Sequence, residues 1–207
     1  RAMMKLKLIS FLILIIFAKA SFAGNHSNGA DFSNEFETAV INIQEKKYLE
    51  AVKGFTALAN QGLPEAQFNL SLLFFSGLGA PKNFKDALYW SWYAHLNEHE
   101  TAINQVNKTY DYITENLRNE VANKIIEELL ATANSGDQMS ALKLGQTYTG
   151  LLVTPDYLSA YVWLSIAQAY GIETASELLE EAAKQLTLED ILAQQNEASS
   201  KFSQINP

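Results

Sequence analysis

His95-Leu96-Asn97-Glu98-His99 has the H-x-x-E-H order in which two histidines one helical turn apart hold zinc and the glutamate activates the metal's water. Ser140-Ala141-Leu142-Lys143 has the S-x-x-K order in which a lysine one turn on helps to activate a serine nucleophile, but neither of the companion boxes, S-D-N and K-T-G, follows it. The chain of 207 residues contains no cysteine, which excludes thiol catalysis, zinc-thiolate sites and iron-sulfur clusters. Apart from the zinc that His95 and His99 would hold, no motif implies a cofactor. A zinc-dependent hydrolase built on His95, Glu98 and His99 is therefore the enzyme reading to weigh against what the rest of the chain predicts.

Such a site needs both histidines on one face of an unbroken helix, so the elements around it decide. From about Glu35 the apolar residues recur with helical spacing almost to the end, and no alternating run is long enough for a strand. Pro64, Pro81 and Pro155 fall between helical segments, where proline is tolerated. The class is all-α. The chain also copies itself: Ala59-Asn60-Gln61-Gly62 recurs as Ala133-Asn134-Ser135-Gly136, and Pro81 as Pro155, both at an offset of 74. At an offset of 73, Phe84, Ala87, Trp90, Ala94 and Glu100-Thr101-Ala102 fall on Tyr157, Ala160, Trp163, Ala167 and Glu173-Thr174-Ala175. A fixed period is the signature of a repeat architecture.

A shorter period lies inside the longer one. An aromatic residue followed three positions later by alanine opens a helix at Tyr48/Ala51, Phe84/Ala87 and Tyr157/Ala160, which predicts a divergent unit near Ala122. Alanine lets one helix approach the next while the aromatic ring a turn earlier fills the wider end of the gap. About five helical hairpins follow, the first helix near Glu35 to Gln44 and the last near Leu188 to Phe202. Thr114 and the Thr187/Asp190 pair are expected N-terminal caps, and Gly62, Gly136 and Gly171 are expected to close helices. In this register Glu98 falls on Gly171, where the second copy breaks its helix, so His95 and His99 are not expected to share a face. Ser140 falls on Ala66, a small packing position.

The run Ala66-Gln67, Leu70, Phe74, Gly77, Gly79, Phe84, Ala87, Trp90, Ala94 resembles the Sel-one-like repeat (SLR) of the tetratricopeptide-like class. The second copy, Leu144-Gly145, Tyr148, Gly150, Tyr157, Ala160, Trp163, Ala167, Gly171, is similar, with a shortened loop and Leu151 where the first has Gly77. The resemblance covers roughly Tyr48 to Lys201. It implies a short, right-handed α-solenoid over residues 35–203, with copies at about 48–121 and 122–203. Such a solenoid serves as a scaffold or adaptor for a protein or peptide partner, and no catalytic residues carry over.

Where the two copies differ, the repeat does not dictate the residue. Trp92 stands opposite Ser165, Phe75 opposite Thr149 and Tyr89 opposite Val162, so these three aromatics are the partner-binding candidates, Trp92 first as an exposed anchor. The competing reading for Trp92 is that it covers the divergent middle unit. Trp90 and Trp163 recur with the repeat and are expected in the core. Sequons occur at Asn25, Asn69 and Asn107, and Asn69 is expected to lie in a packed helix, out of use.

Lys5 and Lys7 precede an apolar run from Leu8 to Ala18, and Ser21 and Ala23 offer a cleavage point before Gly24, the layout of a signal peptide over residues 1–23, with translation expected to start at Met3 or Met4. A polar tether over 24–34 follows. Cleavage removes four basic residues and moves the formal charge from −8 to −12. Lys46-Lys47 is the only adjacent basic pair left, so no clustered cations exist to displace counterions from phosphates, and nucleic acid is not an expected partner. These features predict an exported bacterial protein, periplasmic or secreted, that binds a partner; a structural component of the cell envelope remains the other non-catalytic reading.

Overall fold

The computed structural model describes residues 32–207, and the expected signal peptide, most of the expected tether and the sequon at Asn25 lie outside them. The described residues form ten helices and no strand: α1 (Ser33–Gln44), α2 (Tyr48–Ala59), α3 (Pro64–Ser76), α4 (Phe84–Leu96), α5 (Ala102–Tyr110), α6 (Glu115–Asn134), α7 (Gln138–Gly150), α8 (Tyr157–Ala169), α9 (Glu173–Ala183) and α10 (Leu188–Ile205). Ser33 and Asn34, expected in the tether, are already helical.

Local chemistry sets these ends. Thr114 accepts from the Leu117 N–H at the start of α6, and Thr187 and Asp190 make both bonds of a capping box at the start of α10. Pro64 opens α3, where its missing N–H costs nothing. Gly62, Gly136 and Gly171 follow α2, α6 and α8 at φ of 84°, 96° and 84°, in the left-handed region that only glycine enters without steric cost.

Packing follows the shorter period. Ala51, Ala87, Ala122 and Ala160 lie on α2, α4, α6 and α8, and each is 0% exposed. The divergent unit therefore keeps its alanine at Ala122. Asn119 takes the place of the aromatic, and its side-chain oxygen accepts the Val153 N–H at 3.0 Å. Consecutive helices pack on one another from α1 to α5 and from α6 to α9; in addition α6 lies against α4, and α10 against α8. The unit between the two copies is uneven, with a nine-residue α5 beside a twenty-residue α6. That unevenness leaves a cleft between α4 and the α6–α7 pair.

The copies end their first helices differently. In α3 the closing residue is Gly77, left-handed at φ 74°, and the N–H groups of Gly77 and Leu78 both return to the Leu73 carbonyl. Leu151 closes α7 at φ −99° and cannot make that turn. Arg118 of α6 takes over: its guanidinium donates to the carbonyls of Gly150 (3.2 Å), Leu151 (2.7 Å) and Leu152 (3.1 Å), and it rests 4.0 Å from the centre of the Tyr110 ring. A cation at a helix C-terminus also meets the negative end of the dipole. Arg118→Met is expected to lower stability by about 2 kcal/mol, or several degrees of melting temperature in thermal unfolding. Arg118→Lys should recover less than half, because an ammonium cannot span three carbonyls in one plane; full recovery by lysine would show that charge alone holds the turn.

Candidate binding site

The helix carrying His95 stops at Leu96, and Glu98 turns the chain at φ 66°. Gly171 makes the equivalent turn in the second copy, so the repeat register held through the loop: the His99 N–H returns to Ala94 as that of Ile172 returns to Ala167. The two histidines consequently part. His95 stays on α4, its ring 5.1 Å from that of Trp92, while His99 stacks on Phe68 of α3 at 4.1 Å. Burial pushes the pKa of both imidazoles down. Among the described residues no group of three histidine or carboxylate side chains is placed to hold a metal ion, and the zinc reading is not supported.

Ser140 and Lys143 lie in the first two turns of α7. Ser140 is engaged as a structural hydroxyl, bonded to the Asp137 cap and 2.7 Å from Thr132 Oγ1. Lys143 turns to the other motif, donating from Nζ to Asn97 Oδ1 at 2.7 Å. Asn97 in turn donates to Gln67 Oε1 at 2.8 Å, and Gln67, almost fully buried, donates to the Ala59 carbonyl at 3.1 Å. Three side chains thus connect α7 to the end of α2 across the loop that follows α4. Burial holds the Lys143 ammonium below its ordinary pKa, with Asp137 and Glu98 opposing that shift from a distance.

This chain of donors lines one side of a pocket of about 330 Å³. The facing wall comes from α4 and α6: the Glu128 carboxylate accepts from Tyr89 at 2.8 Å and Tyr93 at 2.7 Å, and Trp90 packs edge-on against Tyr89. Burial first, and the Glu128 carboxylate second, push both phenols well above their ordinary pKa, so they remain donors at any physiological pH. Lys124 lies 4.1 Å from the centre of the Tyr89 ring and 3.9 Å from Glu128. Half-buried aromatic faces, fixed donors and concavity together suit a ligand-binding pocket.

Of the aromatics singled out by their departure from the repeat, only Tyr89 lines this pocket. Trp92 is not an exposed anchor. It is 2% exposed, its indole N–H donates to Thr147 Oγ1 at 3.1 Å, and it fills the space between α4 and α7. Phe75 is also buried, packed edge-on against Phe84 and Tyr112. Trp90 departs from expectation in the other direction: Trp163 is in the core beneath Lys201 of α10, whereas Trp90 is only partly covered and reaches the pocket. Asn69 donates to the Glu65 carbonyl within α3. In the sequence Lys143 and Asn97 stand out only as members of the two catalytic motifs. The comparison of copies flags Lys143 as well, since a lysine stands where the first copy has Asn69.

Helical hairpins stacked at a fixed period, with a polar pocket where the stacking is uneven, define an α-helical repeat protein. The family model of the Sel1 repeat matches residues 64–91 and 138–167, the hairpins α3–α4 and α7–α8, so the chain carries Sel1 repeats at two sites. Sel1 repeats generally serve as scaffolds for protein-protein interaction and are typically non-catalytic. Among solved structures, a protective antigen of uropathogenic Escherichia coli strains displaying an SLR fold is 22% identical, with 85% of this chain and 30% of that one covered and a TM-score of 0.38. A Sel1 repeat protein from Oxalobacter formigenes is 17% identical over 82% of this chain and 88% of that one, with a TM-score of 0.31. The chain thus spans less than a third of the first of these structures. No curated protein matches it.

Proposed function

We propose that this chain is an exported bacterial scaffold, without catalytic activity of its own, that holds a protein or peptide partner in the pocket between α4 and the α6–α7 pair. The observation that carries this reading is the pocket wall. Trp90 and Tyr89 are left partly uncovered beside fixed polar groups, whereas Trp163, the counterpart of Trp90, is buried. Tryptophan and tyrosine are the residues that most often anchor an interface. Support for export is the Lys5/Lys7 pair ahead of the Leu8 to Ala18 apolar run. A periplasmic or secreted destination follows from the same run, and an envelope-bound partner is the variant of this reading that a fractionation would pick out.

The test is site-specific crosslinking in intact cells. A photoreactive phenylalanine analogue placed at Trp90 should capture a defined partner, and the same group at the exposed Leu188 of α10 should not. Trp90→Ala should weaken capture at least tenfold, the loss typical of a hot-spot residue, while leaving the helical signal in circular dichroism unchanged. Equal capture from both positions, or none from either, would remove the pocket as the binding site.

A further inference from the structure

The register that relates the two copies runs on into the last helix. At the offset of 73 the capping residues Thr114 and Thr187 coincide, so α10 stands to α8 as α6 stands to α4. In the first copy the groove between α4 and α6 is closed by α7. A stripe of small residues on α7 faces it: Ser140 meets Thr132, Thr147 meets Trp92, and Gly150 lies against the Trp92 ring. Their spacing of seven and three is that of one helix face. Among the described residues no helix stands in the equivalent place over α8 and α10.

The difference shows position by position. Leu96, Ala122 and Ile126 are buried, whereas their counterparts Ala169, Gln195 and Ser199 are exposed. Val106 and Leu129 are buried, and their counterparts Leu179 and Phe202 are only half-covered. All five of these second-copy residues, with Ser165 in the place of Trp92, line an open space of about 390 Å³ that no charged side chain enters. The Ser165 hydroxyl turns back to the Tyr161 carbonyl at 2.8 Å, which leaves open the space that an indole fills in the first copy.

We propose that the groove between α8 and α10 is a second docking surface, which receives an amphipathic helix of another protein in the position that α7 holds in the first copy. The inference goes beyond the pocket at Trp90 and gives one chain two places to hold partners. The shape of the occupant follows from continuity with the α4–α6–α7 interface: a helix closes that groove, and with serine in place of tryptophan the incoming helix itself supplies a bulky apolar side chain over Ser165. Charge favours another protein over a second copy. Residues 173–201 hold seven carboxylates against two lysines in a chain of net charge −8, so a second copy meets like charge, whereas basic residues beside the apolar stripe of a partner are attracted.

The experiment selects on the full chain from displayed helical segments of about five turns, with the three stripe positions randomised at the spacing of Ser140, Thr147 and Gly150, in one set flanked by lysine and one flanked by glutamate. The wild type should enrich lysine-flanked segments with leucine, phenylalanine or tryptophan on the stripe. Ser165→Trp should weaken these by about tenfold or more and should instead accept segments with serine, threonine or glycine there, as in α7. Ser199→Arg, at an exposed position that leaves the core untouched, should weaken the lysine-flanked segments too, while Leu49→Arg on the exposed face of α2 should not. Enrichment from neither set, or equal binding to the wild type, Ser165→Trp and Ser199→Arg, would overturn the groove as a docking surface, and so would an equal loss in Leu49→Arg. A preference for glutamate-flanked segments would overturn the basic partner. A dimer in sedimentation that Ser165→Trp abolishes would give the groove to a second copy and overturn its assignment to another protein.

Discussion

Trp92→Ala is expected to destabilise the fold by about 3–5 kcal/mol, enough to leave a marginal domain largely unfolded at ordinary temperature. The residue is 2% exposed and belongs to the cluster that joins Leu88 and Leu96 of α4 to Ile125 and Leu129 of α6 and Leu144 of α7. Its ring lies so close to Gly150 that a β-carbon there would stand 2.7 Å from it. Truncation would open a space between the two copies that neither helix can fill, and Thr147, fully buried, would lose the indole N–H. Trp92→Phe keeps most of the volume and loses only the hydrogen bond, so a cost of about 1–2 kcal/mol is expected. Urea unfolding of the three proteins gives both values. A loss below about 1 kcal/mol for Trp92→Ala would contradict the packing and restore a role at the surface.

The contrast with the sequence reading is instructive because the observation behind it was sound. Trp92 does depart from the repeat, with Ser165 opposite. Departure from a repeat means that the local hairpin does not dictate the residue, and two different causes produce it: a ligand, or another part of the same chain. For Trp92 the cause is Thr147, 55 positions away in α7, a contact that exists only because the divergent unit brings α4 and α7 together. For Lys143 the same kind of departure, opposite Asn69, leads into the pocket. Neither cause is visible until α5 and α6 are placed.

Elements governed by near neighbours were legible. The alanines at Ala51, Ala87, Ala122 and Ala160 are spaced by the period itself, and their total burial followed. The left-handed turn shared by Glu98 and Gly171 was readable from the register, which is why the two histidines could be separated on paper. The pocket was not readable in that way. Its donors come from Gln67, Asn97 and Lys143, and its acceptor from Glu128, drawn from three helices and a loop. Convergence across some 75 residues leaves no local pattern.

Another difference between the copies away from the pocket concerns volume. Gly145 in α7 has no side chain, and Leu164 of α8 occupies the space where one would be, so any β-carbon at 145 would collide with the Leu164 side chain, itself 1% exposed. The equivalent positions in the first copy are Ser71 and Ser91, both 0% exposed. One copy divides the interhelical space between two small residues, and the other gives all of it to one leucine. Gly145→Ser alone should therefore overpack the α7–α8 contact, at about 1–3 kcal/mol, despite the better helix propensity of serine. Leu164→Ser alone should leave a cavity at about 2–5 kcal/mol. Made together, the two changes recreate the pairing of the first copy, and the double variant should be more stable than the sum of the single losses by about 1 kcal/mol or more. Denaturant unfolding of the four proteins measures that coupling. Additivity to within about 0.5 kcal/mol would mean that Leu164 finds room elsewhere and that glycine at 145 answers some need other than space; a clear coupling would show that a repeat preserves the volume of its interface while exchanging which helix supplies it.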